Sequence, residues 1–517
     1  MDKRNEIQIC DCTIRDGGYY TNWDFEENLV KMYLNAMNDI PAITHIEIGY
    51  RSKPSNEYFG EYFYCPTHVL KMAKQLCPNK EIAVMLNEKD TKAEELGELL
   101  DDCKDYVGLV RIAVDPKSIN RAASLAKAIK LKDFKVGFNI MYMSNWAKDK
   151  EFIQTLNQLD GIVDYIYMVD SFGGIYPDDV KQALKLIMQE INIPIGFHGH
   201  NNLELGLANS ITAIENGCSV IDATITGMGR GAGNLKTELL LTCLNAKEII
   251  HVDFNKLNPI VTEFEKMQNH YLWGTNLPYM ISGAYSLPQK DVMSWISKRR
   301  YTTESIINAL QNKKDNLADN YSIPLLKNES ASRQVIIIGG GQNAIKHSHA
   351  LKLFSLKNPE VILIHAGTRW VETFNNLPNY QYFCLLGAEG YKLHKVLPFL
   401  NLNNIKCILE PSPRIMGTIL PTEIIAKTFE LPCISFIKEY PDSLLTIAFQ
   451  LCIELKANNV FLFGLDGYDE KTDEQMIEVS MENQSLIDNF QNINHNTTSL
   501  LPTNYQNVSV TSIYSLL

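Results

Sequence analysis

Long apolar runs are missing from the 517-residue chain. Nowhere do about 18 uninterrupted apolar residues occur, so no segment reads as a membrane-spanning helix. Excess positive charge is missing too: Lys and Arg number 48 against 60 Asp and Glu, a net charge of −12. That balance argues against a general binder of nucleic acid polymers or of an anionic membrane surface. The N-terminal MDKRNEIQICDCT lacks the apolar stretch of a secretory signal. The 11 cysteines are odd in number and have no paired spacing, which points to free thiols and a cytoplasmic protein. Cys10 and Cys12 flank Asp11 on an expected strand and so share one face. Internal repeats and low-complexity segments are absent as well. What is present is ordinary globular material, 45% hydrophobic and 21% charged. The length suits about three domains, or two if one is a large barrel.

The first half alternates short apolar runs with amphipathic ones. Strands are predicted at 8–13, 45–50, 82–86, 108–114, 136–143, 165–170, 194–198 and 220–226, and helices at 26–37, 92–103, 119–131, 178–190 and 203–216. Eight such units predict an α/β fold that opens with a (β/α)8 TIM barrel over 1–250; an open doubly wound sheet is the alternative. Residues 251–330 read as a helical extension that ends in a polar surface linker at 311–332. Residues 331–517 read as a smaller Rossmann-like α/β domain, with strands at 335–338, 361–366, 382–386, 407–409, 433–436 and 460–463 and a partly disordered tail at 494–510.

In a barrel, chemistry collects at the carboxyl ends of the strands. His198 and His200 alternate along strand seven, so both imidazoles can face one ion. Asp16, at the end of strand one, can complete a set of two histidines and a carboxylate, and Asn234, after strand eight, can add an amide oxygen. Mixed nitrogen and oxygen ligands with open positions suit Mn²⁺, Mg²⁺, Fe²⁺ or Co²⁺ rather than a closed structural zinc site. The alternatives are a turn-forming Asp16 and an Asn234 that caps the following helix. Arg15 can stabilise enolate charge or form a salt bridge inside the barrel. Glu47 and Arg111 line the pocket or pair structurally. Arg51 binds an anionic substrate tail or faces solvent, and Trp146 and Trp273 read as packing residues.

Three motifs in order, Thr13-Ile14-Arg15-Asp16-Gly17, Phe197-His198-Gly199-His200-Asn201-Asn202 and Gly227-Met228-Gly229-Arg230-Gly231-Ala232-Gly233-Asn234, resemble those of the HMG-CoA-lyase-like (DRE-TIM) metalloenzymes over residues 7–310. Within that group the similarity is strongest to the 4-hydroxy-2-oxovalerate aldolases. The resemblance implies a divalent cation, Mn²⁺ or Mg²⁺ first, held by Asp16, His198 and His200 with Asn234 as a weaker ligand. It implies that Arg15 stabilises a pyruvate enolate, that Ser171 contacts the substrate carboxylate or carbonyl, and that Tyr285, in Gly283-Ala284-Tyr285-Ser286, closes over the substrate. The substrates it implies are a 2-oxo acid and an aldehyde, and the assembly a homo-oligomer with a possible dehydrogenase partner. One residue departs from the pattern: Tyr19 stands where the aldolases carry an acid/base histidine. Tyrosine titrates near 10 and histidine near 6.5, so the proton falls to Tyr19 or to a metal-bound water. The other functions open at this stage are an acyl-CoA Claisen-type lyase or synthase, and a catalytically weakened binding protein.

In the second domain, Gly339-Gly340-Gly341-Gln342-Asn343-Ala344 fits a strand-to-helix loop that could hold a phosphate through Gly339, Gly341 and Asn343. A dinucleotide is disfavoured, because the next strand ends in Ile364-His365-Ala366-Gly367 without an acid. This loop and Phe463-Gly464-Leu465-Asp466-Gly467 faintly resemble nucleotide-binding domains of the pterin-pyrophosphokinase and sialyltransferase kinds. The alternative is a tight turn that needs glycine for steric reasons alone.

Overall fold

The computed structural model describes residues 7–298, 301–327, 334–387, 389–414, 416–468, 474–494 and 496–517. The chain divides into two compact units, Met1–Ser294 and Trp295–Leu517. No helix among the described residues is long and apolar enough to cross a membrane.

The first unit is a closed barrel of eight parallel strands: β1 (Gln8–Asp11), β2 (Ile43–Tyr50), β3 (Glu81–Asn87), β4 (Leu109–Val114), β5 (Lys135–Ile140), β6 (Tyr165–Asp170), β7 (Ile195–Gly199) and β8 (Val220–Ala223). Alternation along each strand divides the side chains between two environments. Ile46, Ile48, Val110, Ile112, Ile166, Met168, Ile195, Phe197 and Ile221 join the apolar layer under the helices. The opposite phase carries Cys10, Glu47, Arg111, Tyr167, His198 and Asp222. Gly196 pairs with Tyr167 across β6 and β7, and a Cβ there would stand 2.3 Å from the tyrosine ring. The glycine is what lets this large ring lie inside the barrel.

Several element boundaries differ from the sequence reading. Strand one ends at Asp11, and Thr13–Thr21 forms a helix, so Asp16 lies in a first helical turn rather than in an Asx turn. The long helix expected at 92–103 is broken into Ala93–Glu95, Leu96–Leu100 and Asp101–Cys103. Arg51 neither faces solvent nor offers itself to a ligand: it is buried, bonded to the carbonyls of Leu99, Tyr64 and Cys65, and ion-paired with Asp102 at 2.5 Å. Trp146 and Trp273 are buried.

The second unit is an all-parallel sheet ordered β13-β12-β11-β10-β9-β14-β15-β16. Its strands are β9 (Gln334–Ile338), β10 (Ile362–His365), β11 (Gln381–Leu385), β12 (Ile405–Leu409), β13 (Thr428–Glu430), β14 (Asn459–Phe463), β15 (Thr497–Ser499) and β16 (Ser509–Val510). Val335 and Ile337 pack into one apolar layer and Ile336 and Ile338 into the other. Continuous apolar runs are what a sheet covered on both faces requires.

Three expectations are corrected here. Residues 433–436 are not a strand, and the edge is supplied by Thr428–Glu430 instead. The segment at 311–332 is not a free linker: Thr303–Asp315 is helical, Asp319 pairs with Arg414, and Leu325 bridges to Glu430, while 328–332 lie outside the described residues. The polar tail is ordered, adding two strands to the sheet through Thr497–Ser499 and Ser509–Val510; its His495 lies outside the described residues.

Candidate active site

The barrel register places the polar groups. His198 pairs with Asp222 across β7 and β8, and both side chains point inward. The result is a hydrogen bond of 2.9 Å between His198 Nδ1 and Asp222 Oδ2. His200 lies just past β7, and its Nδ1 is 2.8 Å from the carbonyl oxygen of Asp170 at the end of β6. With both Nδ1 atoms engaged, each ring presents Nε2 as its remaining donor, an orientation usual in metal-binding histidines. His198 Nε2 stands 3.7 Å from Asp16 Oδ2, and the two rings are 5.1 Å apart, edge to face. Burial, reinforced by the neighbouring His198, pushes the His200 imidazole down to about 3, so it is neutral at physiological pH.

Asp16 is also held by Arg15, which forms an ion pair with it and donates from Nε to Glu47 at 2.6 Å. Of the two roles open to Arg15, the salt bridge is therefore formed. Asn234 does not cap the following helix, whose N-cap is Lys236. Its amide donates to Asp16 Oδ2 at 2.8 Å, and its Oδ1 is buried without a partner among the described residues. Beneath these groups, Arg111 pairs with Asp222 and with Glu47 (3.3 Å) and stacks 3.9 Å over the Tyr167 ring. Burial would raise the Asp222 carboxyl, but Arg111 and His198 override it and hold it at about 2.

The remaining candidates ring this centre. The Tyr19 hydroxyl is 3.2 Å from that of Tyr50, and the Arg230 guanidinium covers the Tyr19 ring at 4.1 Å. Ser171 follows Asp170 and accepts the N–H of Tyr142 at 2.8 Å. Tyr285 ends the helix Leu277–Ala284 and is 43% exposed. That helix lies on the loop after β6, where Gly174 approaches the carbonyl of Gly283 so closely that a Cβ would stand 2.2 Å away. Asp222, Asp170, Tyr50 and Arg230 have no role in the sequence reading, although Arg230 lies within the third of its motifs. Of the others, only Asp222 carried a signal, an acid inside the apolar run Val220-Ile221-Asp222-Ala223.

The donor set fits a divalent cation: two imidazoles with fixed Nδ1 atoms, one carboxylate and an unpartnered amide oxygen. Asp16 now gives its oxygens to Arg15 and Asn234, and a cation must compete for them. Among the described residues, the one trio of His, Cys, Asp and Glu ligand atoms lying within 4.8 Å of one another is Cys10, Cys12 and Asp222. That trio already surrounds a cation, because Arg111 Nη1 lies 3.6 and 3.4 Å from the two sulfurs and Nη2 bonds Asp222. Replacing Asp222 by Asn removes the charge behind His198. Loss of such an outer partner is expected to weaken Mn²⁺ binding about 10–100-fold, read by titration calorimetry on the purified protein.

In the second unit, the loop offered for a phosphate is filled from within. The N–H groups of Gly339 and Gly341 donate to the carbonyls of Phe463 (2.8 Å) and Gly464 (2.9 Å), and that of Asn343 donates to Asp466 Oδ2 at 2.9 Å. A Cβ on Gly341 would meet Asp466 at 2.4 Å. The glycine here serves a close approach, and the Asp466 carboxylate takes the N–H that a phosphate would need.

Comparison with known proteins concentrates on the barrel. The HMGL-like family matches residues 110–262. The 4-hydroxy-2-oxovalerate aldolase of Geobacillus genomosp. 3 is 30% identical over 248 residues, 47% of this chain and 71% of that protein. The enzyme of the same name from Geobacillus thermodenitrificans is 29% identical over 249 residues, again 47% and 71% of the two chains. The crystal structure of the N-terminal domain of a candidate aldolase from Bacteroides vulgatus is 55% identical with a TM-score of 0.56, and the match covers 59% of this chain and 100% of that one. With its closed parallel barrel and its polar centre at the end of β7, the chain belongs to the HMGL-like family.

Proposed function

We propose that the barrel is a divalent-metal-dependent aldolase, a carbon–carbon lyase that cleaves or forms a 4-hydroxy-2-oxo acid through a pyruvate enolate. The observation that carries this reading is the fixing of both imidazoles by their Nδ1 atoms, to Asp222 and to the Asp170 carbonyl, beside Asp16. Asp16, His198 and His200, with Asn234 as a further ligand, would hold the cation, Mn²⁺ or Mg²⁺ ahead of Co²⁺ or Fe²⁺. Once bound, the ion supplies Lewis-acid polarisation of the substrate ketone. Arg15 places its guanidinium beside Asp16, where negative charge grows on the enolate oxygen. Ser171 orients the carboxylate or carbonyl of the 2-oxo acid. Tyr19 faces the C4 hydroxyl; Tyr19 or a bound water would take its proton as the C3–C4 bond breaks to give an aldehyde and the enolate, and would return that proton to C3. The Tyr50 hydroxyl, 3.2 Å away, steadies Tyr19, and Tyr285 closes over the substrate.

The test is pyruvate release from 4-hydroxy-2-oxo acids of graded chain length, coupled to lactate dehydrogenase. Activity is expected to vanish with EDTA and to return with Mn²⁺ or Mg²⁺. Thioester turnover without 2-oxo acid cleavage would favour the acyl-CoA reading. A Tyr19→His variant that gains an activity the native protein lacks would favour the weakened binding protein. A cytoplasmic location, homo-oligomeric assembly and transfer of the aldehyde to a dehydrogenase partner belong to the same proposal; light scattering and co-purification check the last two.

A further inference from the structure

Arg230 is set apart from the other arginines of the barrel. Arg15 is paired with Asp16 and Glu47, Arg51 with Asp102, and Arg111 with Glu47 and Asp222. Arg230 has no carboxylate within ion-pair distance among the described residues; its guanidinium carbon lies over the face of Tyr19, 4.1 Å from the ring centroid. It is only partly exposed, and it lies close enough to the Asp16 carboxylate for the two charges to interact. The loop that carries it is anchored just beyond it, by the Tyr20 hydroxyl on the Gly231 carbonyl (3.1 Å) and by Asn234 on Asp16 (2.8 Å). A guanidinium partly withdrawn from water and without an ion-pair partner is favoured by a ligand that supplies an anion.

The position of Arg230 relative to the other candidate residues tells which part of the substrate it meets. Asp16, His198 and His200 define the end that takes the 2-oxo acid head. Tyr19 stands at the C4 hydroxyl, and Arg230 covers Tyr19, so its reach extends to what is attached at C4. We propose that Arg230 binds an anionic group, carboxylate or phosphate, on the aldehyde half of the substrate. This inference rests on the aldolase reading and adds the substrate class to it. The guanidinium presents paired N–H donors to the anion, the geometry that carboxylates and phosphates accept.

The experiment compares condensation of pyruvate with matched aldehydes: 4-oxobutanoate against butanal for a carboxylate, and glyceraldehyde 3-phosphate against glyceraldehyde for a phosphate. In the metal-loaded native enzyme, kcat/KM for one anionic aldehyde is expected to exceed that of its neutral partner about tenfold or more, the size of a charge-assisted contact. The arm that shows the preference identifies the anion. In Arg230→Gln that ratio is expected to fall to about one, through a rise in KM for the anionic aldehyde, and Arg230→Lys is expected to keep most of it. Succinate and inorganic phosphate serve as probes in calorimetry, and the one matching the preferred arm is expected to bind about tenfold more weakly to Arg230→Gln. Equal kcat/KM for charged and neutral aldehydes overturns this proposal alone. So does an Arg230→Gln variant that slows both classes and leaves the ratio intact, since that is a structural role. No turnover of any of the four aldehydes by a protein that does release pyruvate from 4-hydroxy-2-oxo acids also overturns this proposal alone, whereas absence of pyruvate release as well overturns the aldolase reading, and this proposal with it.

Discussion

A His200→Ala protein is expected to lose pyruvate release entirely and to bind Mn²⁺ more weakly by a factor beyond the roughly 10–100-fold that loss of an outer partner causes. Three features of His200 lead to this. Its Nδ1 is committed to the Asp170 carbonyl, leaving Nε2 as its one free donor. Burial keeps the ring neutral down to about pH 3, so it requires no proton release to accept a cation. It projects from the segment beyond β7 that bridges to Asn234, so backbone pairing fixes its position. Calorimetry measures the affinity, and the coupled pyruvate assay measures the activity. His198→Ala should behave alike and also leave Asp222 without its imidazole partner. Unchanged Mn²⁺ affinity in both variants would remove the metal-site reading, because no other pair of imidazoles lines the carboxyl end of the barrel among the described residues.

Arg111→Met is expected to lower the stability of the barrel by about 3–5 kcal/mol, the usual effect of breaking a buried ion pair from one side. Arg111 is fully buried, and its guanidinium serves Glu47, Asp222 and the Asn139 side chain (3.1 Å) while lying on Tyr167. Methionine fills much of the volume but leaves Asp222 in the barrel interior without its guanidinium and Glu47 with Arg15 alone. Denaturant unfolding of the barrel should show a lower midpoint at an unchanged slope. The double variant Arg111→Met, Asp222→Asn should lose less than the sum of the singles, since the second change removes a charge that the first strands. A loss below about 1 kcal/mol, the level of an exposed pair, would show that the network does not support the fold. The same residue links stability to function: by holding Asp222 ionised it sets the charge behind His198, so Mn²⁺ affinity should fall in Arg111→Met as well.

The contrast between the two units has a physical cause. In the barrel, His198 and Asp16 lie on motifs whose chemistry is local, and the register of eight strands then brings distant segments together. In the second unit the glycine-rich loop has the spacing of a phosphate cradle, but the carboxylate of Asp466, more than a hundred residues later in the chain, accepts the N–H of Asn343 that a phosphate would take. A motif reports which backbone shapes are allowed, not what has already filled them.

Much of this protein was decided by sequence alone. The alternation of apolar and amphipathic runs marked eight strand–helix units and a second α/β domain, because side-chain periods of two and 3.6 select strand and helix locally; closure of the barrel over an open sheet was decided by the tertiary structure. The spacing of His198 and His200 determined that both could face one ion. Tertiary structure alone decided the partners: Asp222 behind His198, Arg111 between Asp222 and Glu47, Arg230 over Tyr19, and Asp466 in the loop of the second unit. These contacts join residues far apart in the chain, and their existence follows from barrel closure and strand register, which no short stretch of sequence encodes.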